Sequence, residues 1–178
     1  SDMDYFTYNT YAEHMKAADH FLTMAKSESI GQRWNIVAAI AFSAFTVEAF
    51  INHAGKGLDN SWNEWDRENR PNSEEKLKKL KVNLDSAMNI QFTELFKLRD
   101  MIAHGRTVTV KKNVRKPQNN IKGAMADLPS EFESRTTLDK VGNLVSASKE
   151  IVSCINNSTV KLSQQILWSI GNGSVRTS

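Results

Sequence analysis

No stretch limits the fold of this chain more than residues 32–54. Trp34, Ile36, Val37, Ile40, Phe42, Phe45, Val47, Phe50 and Ile51 fall all round a 3.6-residue period and leave almost no polar face. A helix of this kind belongs at the centre of a bundle or in an oligomer contact, because packing on one side cannot cover it. Its longest uncharged run, 34–47, contains Asn35, Ser43 and Thr46 and stops at Glu48. That is well short of the roughly 20 apolar residues of a membrane span, so no membrane contact is expected. Gly55 and Gly57 should end the helix in left-handed geometry. Glu48 is conspicuous, because a carboxylate among apolar neighbours needs a partner or must give up its charge. Asn52 lies one turn later on the same face. The two read equally as a polar pair that fixes helix register and as support for the charged residues Arg99 and His104 further along.

Shorter helices should surround this one in an all-α, up-and-down bundle of about five helices. Thr10 and Glu13 have the spacing of a capping box ahead of a helix over 11–25, whose stripe is Met15, Ala18, Leu22 and Ala25. His14 and His20 fall off that stripe and read as surface residues rather than ligands. Trp62 and Trp65 suit a short turn that pins a polar connection to the bundle, with packing favoured over stacking on a base. Ser73 is the expected N-cap of a helix over 73–84 with Leu77, Leu80 and Leu84 inward, and Lys76, Lys78, Lys79 and Lys81 as its solvated face. Another helix should begin near Ile90 and run to Gly105. The last element starts near Thr137 and extends toward Ile170, with a break at Asn156-Asn157-Ser158. Before it comes a long basic loop in which Thr107-Val108-Thr109-Val110 alternates as a short β-hairpin would. Residues 1–9 and 171–178 should be loose tails of a single domain spanning 1–178.

Composition matters for what it excludes. A chain that is 40% hydrophobic and 24% charged is ordinary globular material. The one cysteine, Cys154, allows no internal disulfide or zinc cluster and reads as an inert buried thiol, so a reducing cytoplasm is expected. The first residues lack a charged-then-apolar secretory pattern. No Glu is followed by His three residues on, and neither His-Glu-x-x-His nor a phosphate-binding loop occurs, so no metal or cofactor is expected. Net charge is +3. Residues 105–126 hold six cations (Arg106, Lys111, Lys112, Arg115, Lys116, Lys122) and no acid, which leaves −3 (the +3 total less this +6) for the rest. Such a segment would suit a polyanion, and equally a solvated loop.

Directly before it stands Leu98-Arg99-Asp100-Met101-Ile102-Ala103-His104-Gly105, an Arg and a His with four residues between them at the end of an amphipathic helix. This resembles the R-x-x-x-x-H signature of the HEPN superfamily, in which a polar residue often follows the Arg, as Asp100 does here. The Val47-Glu48-Ala49-Phe50-Ile51-Asn52 pattern of the apolar helix is similar to that family as well. The resemblance implies a helical dimer and, for many members, a metal-independent endoribonuclease that leaves 2',3'-cyclic phosphate ends. It further implies a toxin or phage-defence setting, with an antitoxin such as a small nucleotidyltransferase as partner.

The residue types fit that chemistry. Cleavage of RNA without metal needs a base for the ribose 2'-OH, an acid for the 5'-oxygen and charge stabilisation between them. His104 suits the proton steps and Arg99 the phosphate, with Asp100 orienting either one; Arg106, Lys111, Lys112, Arg115 and Lys116 would hold RNA. At 100° per residue Arg99 and His104 diverge by roughly 140° on one helix. Convergence therefore needs an unwound last turn at His104-Gly105 or a second copy across a two-fold axis. Arg and His in a last helical turn also meet the helix dipole favourably with no catalytic duty. The alternative is thus a non-catalytic HEPN-like dimer serving as an interaction or nucleic-acid-binding module, or as a nucleotide-binding one.

Overall fold

In the computed structural model, which describes residues 3–105 and 131–176, the chain is an all-α helical bundle. Helix α1 spans Thr10–Ser27, α2 Gln32–Leu58, α3 Trp62–Asn69, α4 Ser73–Lys79, α5 Ser86–Ala103, α6 Glu131–Arg135, α7 Leu138–Ser158 and α8 Gln164–Leu167. α2 is the centre: it packs against α1, α3, α4, α5 and α7. Its inward residues include Ile36, Ile40, Val47, Phe50 and Ile51, all at most 5% exposed. By length and composition α2 would also be long and apolar enough to cross a membrane, which the run 34–47 alone did not suggest; half of that apolar window is buried in the bundle.

α2 does not stop at its glycines. Gly55 is buried inside the helix, and a Cβ there would stand 2.2 Å from Cδ2 and Cε2 of Trp62. The residue is glycine because a tryptophan ring occupies the place of its side chain, not because the chain turns left-handed. Left-handed geometry occurs instead at Gly31, with φ 75°, where the chain reverses between α1 and α2.

Contacts fix the helix directions. Arg33, at the start of α2, donates to Thr136 Oγ1 at 2.7 Å and lies 4.6 Å above the Phe132 ring, while at the other end a Cβ on Gly57 would meet Val160. α2 and α7 are therefore parallel. Met88 in the first turn of α5 shares a cleft with Ser153 and Cys154 near the end of α7, whereas Glu94 binds Arg135 just before α7 begins. α5 thus runs antiparallel to both, and its C-terminus lies at the N-terminal end of α2.

Several helix ends differ from expectation in their capping. Asn9, not Thr10, is the N-cap of α1, and its side-chain amide donates to Ser169 O at 2.8 Å instead of closing a capping box. The box occurs at α4, where Asn72 and Glu75 satisfy each other's amides and the helix ends at Lys79. Lys76 is not on a solvated face; it is 5% exposed. α5 begins at Ser86, four residues before Ile90, because Asp85 accepts the Met88 amide at 2.8 Å. The break after α7 is built by Asn156, whose amide donates to Leu162 O and accepts from Leu162 N, both at 2.8 Å. The segments expected as loose tails pair with each other: Met3–Tyr8 and Gly171–Arg176 form a two-stranded antiparallel ladder, with Met3 opposite Arg176 and Tyr8 opposite Gly171.

Candidate functional site

The C-terminal half of α5 carries the Arg/His motif. Phe92, Leu95 and Leu98 recur every third residue and are buried, so they set the rotation of the helix. Arg99 follows Leu98 directly and is only 28% exposed. Its guanidinium lies 5.4 Å from the Phe96 ring centroid, and its Nη1 is 3.3 Å from Asp100 Oδ1. Nε of Arg99 is sealed from solvent with no hydrogen-bond partner among the described residues. Asp100 is well exposed, so its contact with the neighbouring arginine is a surface ion pair of small energetic weight.

His104 caps the helix. Its amide still donates to Asp100 O at 2.9 Å, but its backbone, with φ −117° and ψ 29°, has left helical values. Relative to a continued helix this rotates the Cβ by about 50° in φ. The imidazole is exposed and has no hydrogen-bond partner among the described residues, Asp100 and Arg99 included. The stop comes from His104 itself. Gly105 takes no left-handed φ, and a Cβ there would meet Met101 O at an ordinary 3.4 Å.

The two α2 residues assigned to support this site do not touch it. Asn52 Oδ1 accepts from Trp62 Nε1 at 3.3 Å and from Lys76 Nζ at 3.0 Å, and Lys76 in turn pairs with Asp66 at 2.7 Å. Asn52 therefore organises a buried cluster that fixes α3 and α4 on α2. Glu48 is half-buried and has no ion pair or hydrogen bond among the described residues, so it makes no pair with Asn52. Arg106, Lys111, Lys112, Arg115, Lys116 and the suggested hairpin over 107–110 lie outside the described residues.

A cleft of about 510 Å³ opens between α5 and the α6–α7 corner, lined by Asn89, Thr93, Glu94, Arg135, Lys140 and Asn143. Neither Arg99 nor His104 lines it. Arg135 closes one wall: Nε donates to Glu94 Oε1 at 2.9 Å, Nη2 to Glu94 Oε2, and Nη1 to Glu131 Oε1 at 3.1 Å. The hydrogen bonds it donates to Glu94 hold the Arg135 pKa above the ordinary arginine value. The Glu131/Arg135 half of this grouping was legible as an i, i+4 pair; Glu94, 41 residues earlier, had no local signal. Among the described residues no three His, Cys, Asp or Glu side chains gather as a metal site would need. No family model, curated protein or solved structure matches the chain.

Proposed function

We propose that this chain is a HEPN-type, metal-independent endoribonuclease, acting in the cytoplasm as a toxin or phage-defence protein at a cleft between two copies of itself. The observation that carries the reading is the geometry at the end of α5, where an exposed His104 leaves the helix one turn beyond the Arg99–Asp100 pair. An exposed imidazole with no bond to the described residues is accessible to a ligand, which a buried core histidine is not.

In the reaction a base takes the proton from the ribose 2'-OH as that oxygen forms a bond to phosphorus. The bond from phosphorus to the 5'-oxygen breaks, and an acid delivers a proton to that oxygen, leaving a 2',3'-cyclic phosphate and a 5'-hydroxyl. Each copy offers one His104, so acid and base come from two copies. Arg99 binds the phosphate and Asp100 sets the arginine's orientation. The basic residues between Arg106 and Lys116 hold the RNA, and a small nucleotidyltransferase acts as antitoxin.

The test is cleavage of labelled RNA in chelator by the wild type, His104→Ala and Arg99→Ala, each first shown folded by circular dichroism. Loss of a positioned acid–base group should slow cleavage by about 10²–10⁴-fold. Equal cleavage by His104→Ala, or none by any form over a range of RNAs, overturns the reading. The engagement of Arg99 with Asp100 favours the second reading, an HEPN-like interaction or nucleotide-binding module without catalysis, in which both residues serve the helix end.

A further inference from the structure

The first turn of α2 leaves Trp34 77% exposed, although tryptophan is mostly buried in folded chains. The fold nonetheless places the ring: a Cβ on Gly31 would stand 3.7 Å from its Cε3, so one edge lies against the α1–α2 turn and the rest is open. Its indole N–H has no hydrogen-bond partner among the described residues. At 100° per residue Trp34 is on the same line of α2 as Asn52, about five turns before it. α3 and α4 cover that line at the Asn52 end, through Trp62 and Lys76, and Trp34 lies beyond them. Arg33 holds Phe132 and Thr136 while Glu94 holds Arg135, so α5 lies on the Arg33 side of α2, and Trp34 is about 100° further round in the same sense. On α5 the buried Leu95 and Leu98 separate Glu94 from Arg99, which puts Arg99 on the flank away from α6 and α7. Because α5 ends where α2 begins, Trp34 and Arg99 open on the same side of the bundle at the same end.

We propose that Trp34 is an RNA contact: an unpaired base stacks on its indole while a neighbouring phosphate is held at Arg99. The assignment rests on the nuclease reading for placing the phosphate at Arg99. It specifies a single-stranded substrate, because a base inside a duplex already has both faces stacked on its neighbours. Stacking also supplies what charge does not. Glu28 and Asp100 are exposed at this end and Arg99 is paired with Asp100, so the described residues offer little net attraction for a phosphate. An aromatic face accepts any base, because every base has a π-face. A protein partner fits less well: Trp34, Ala38, Ala41 and Phe45 form a strip about 17 Å long and one helix, about 10 Å, wide, far below the roughly 800 Å² that each partner buries in a stable interface. The half-buried Glu48 carboxylate closes the strip one turn later.

The test is binding of a short fluorescein-labelled adenine strand, 2'-O-methylated so that no 2'-OH can attack, to the full chain, read by fluorescence anisotropy. The wild type should bind the strand with quenching of its tryptophan emission, and Trp34→Ala should bind about 5- to 150-fold more weakly. Trp34→Phe should recover most of the affinity. Pairing the strand with its complement should abolish the difference between the wild type and Trp34→Ala. Trp34 is a surface residue, and circular dichroism verifies that both variants stay folded. Trp34-dependent binding with no cleavage of unmodified RNA by any form supports the contact and overturns the nuclease reading alone. A wild type that binds no strand, equal affinity in Trp34→Ala, or Trp34-dependent binding of phosphatidylcholine vesicles in place of the strand overturns the assignment. So does a dimer, seen by sedimentation velocity, that Trp34→Ala dissociates in step with the loss of RNA binding.

Discussion

Replacing Gly55 by alanine sets two opposing effects against each other, and their sizes decide the sign. Inside an exposed helix the change would stabilise by about 1 kcal/mol, since alanine loses less backbone entropy on folding. Here the new methyl would lie 2.2 Å from two atoms of the Trp62 ring and 2.5 Å from a third. Carbon atoms rest at about 3.5–4 Å, so ring or helix must give by more than 1 Å. Trp62 is 1% exposed, and its Nε1 donates to the Asn52 oxygen that also receives Lys76. Movement of the ring therefore strains packing and hydrogen bonds together. Overpacking costs about 1–3 kcal/mol, and a disturbed buried hydrogen bond about 1–3 kcal/mol more. Net destabilisation of about 1–5 kcal/mol is expected after the propensity gain is subtracted. Equilibrium urea unfolding, followed by circular dichroism and by tryptophan fluorescence, measures it. Trp62→Leu should relieve the clash, so in a double-mutant cycle the pair should cost less than the sum of its singles. A Gly55→Ala chain at least as stable as the wild type, or strictly additive effects, would refute the account of this glycine.

Two further outcomes follow from buried polar groups. Burial, aided by the nearby Lys56 charge, lowers the His53 pKa, so below its unfolded value the unfolded chain binds more protons than the folded one. Its contribution to stability is complete above that value and is lost as pH falls through the folded one. Thermal midpoints should drop into mild acid, and His53→Gln should flatten the drop. Asn156→Ala removes both bonds to the Leu162 backbone and should cost about 2–4 kcal/mol in urea unfolding, whereas Asn157→Ala, at an exposed neighbour, should be near neutral.

The pattern of apolar residues made the bundle legible, because burial repeats at the helical period and that repeat is local. The central place of α2 and the helix carrying Arg99 are legible this way, and the break at Asn156 from a run of side chains that compete for backbone hydrogen bonds. What stayed hidden depends on residues distant in the chain. Gly55 has the look of a helix stop until Trp62 is known to occupy its side-chain volume. Thr10 looks like a cap until Asn9 is seen bound to Ser169, 160 residues away. The pairing of Met3–Tyr8 with Gly171–Arg176 has the same character, since neither segment alone alternates strongly enough to declare a strand. At the motif, the sequence showed the spacing and the divergence of Arg99 and His104. It could not show that His104 is itself the cap, nor that Asn52 is committed to Trp62 and Lys76.

Charge and symmetry together limit how the motif can work. The C-terminal end of α5 presents the negative pole of its dipole and an exposed Asp100, so a phosphate approaching His104 meets Arg99 as the only cation among the motif residues, and that cation is already paired. Binding a polyanion there requires positive charge from elsewhere: the segment following Gly105, a second motif, or both.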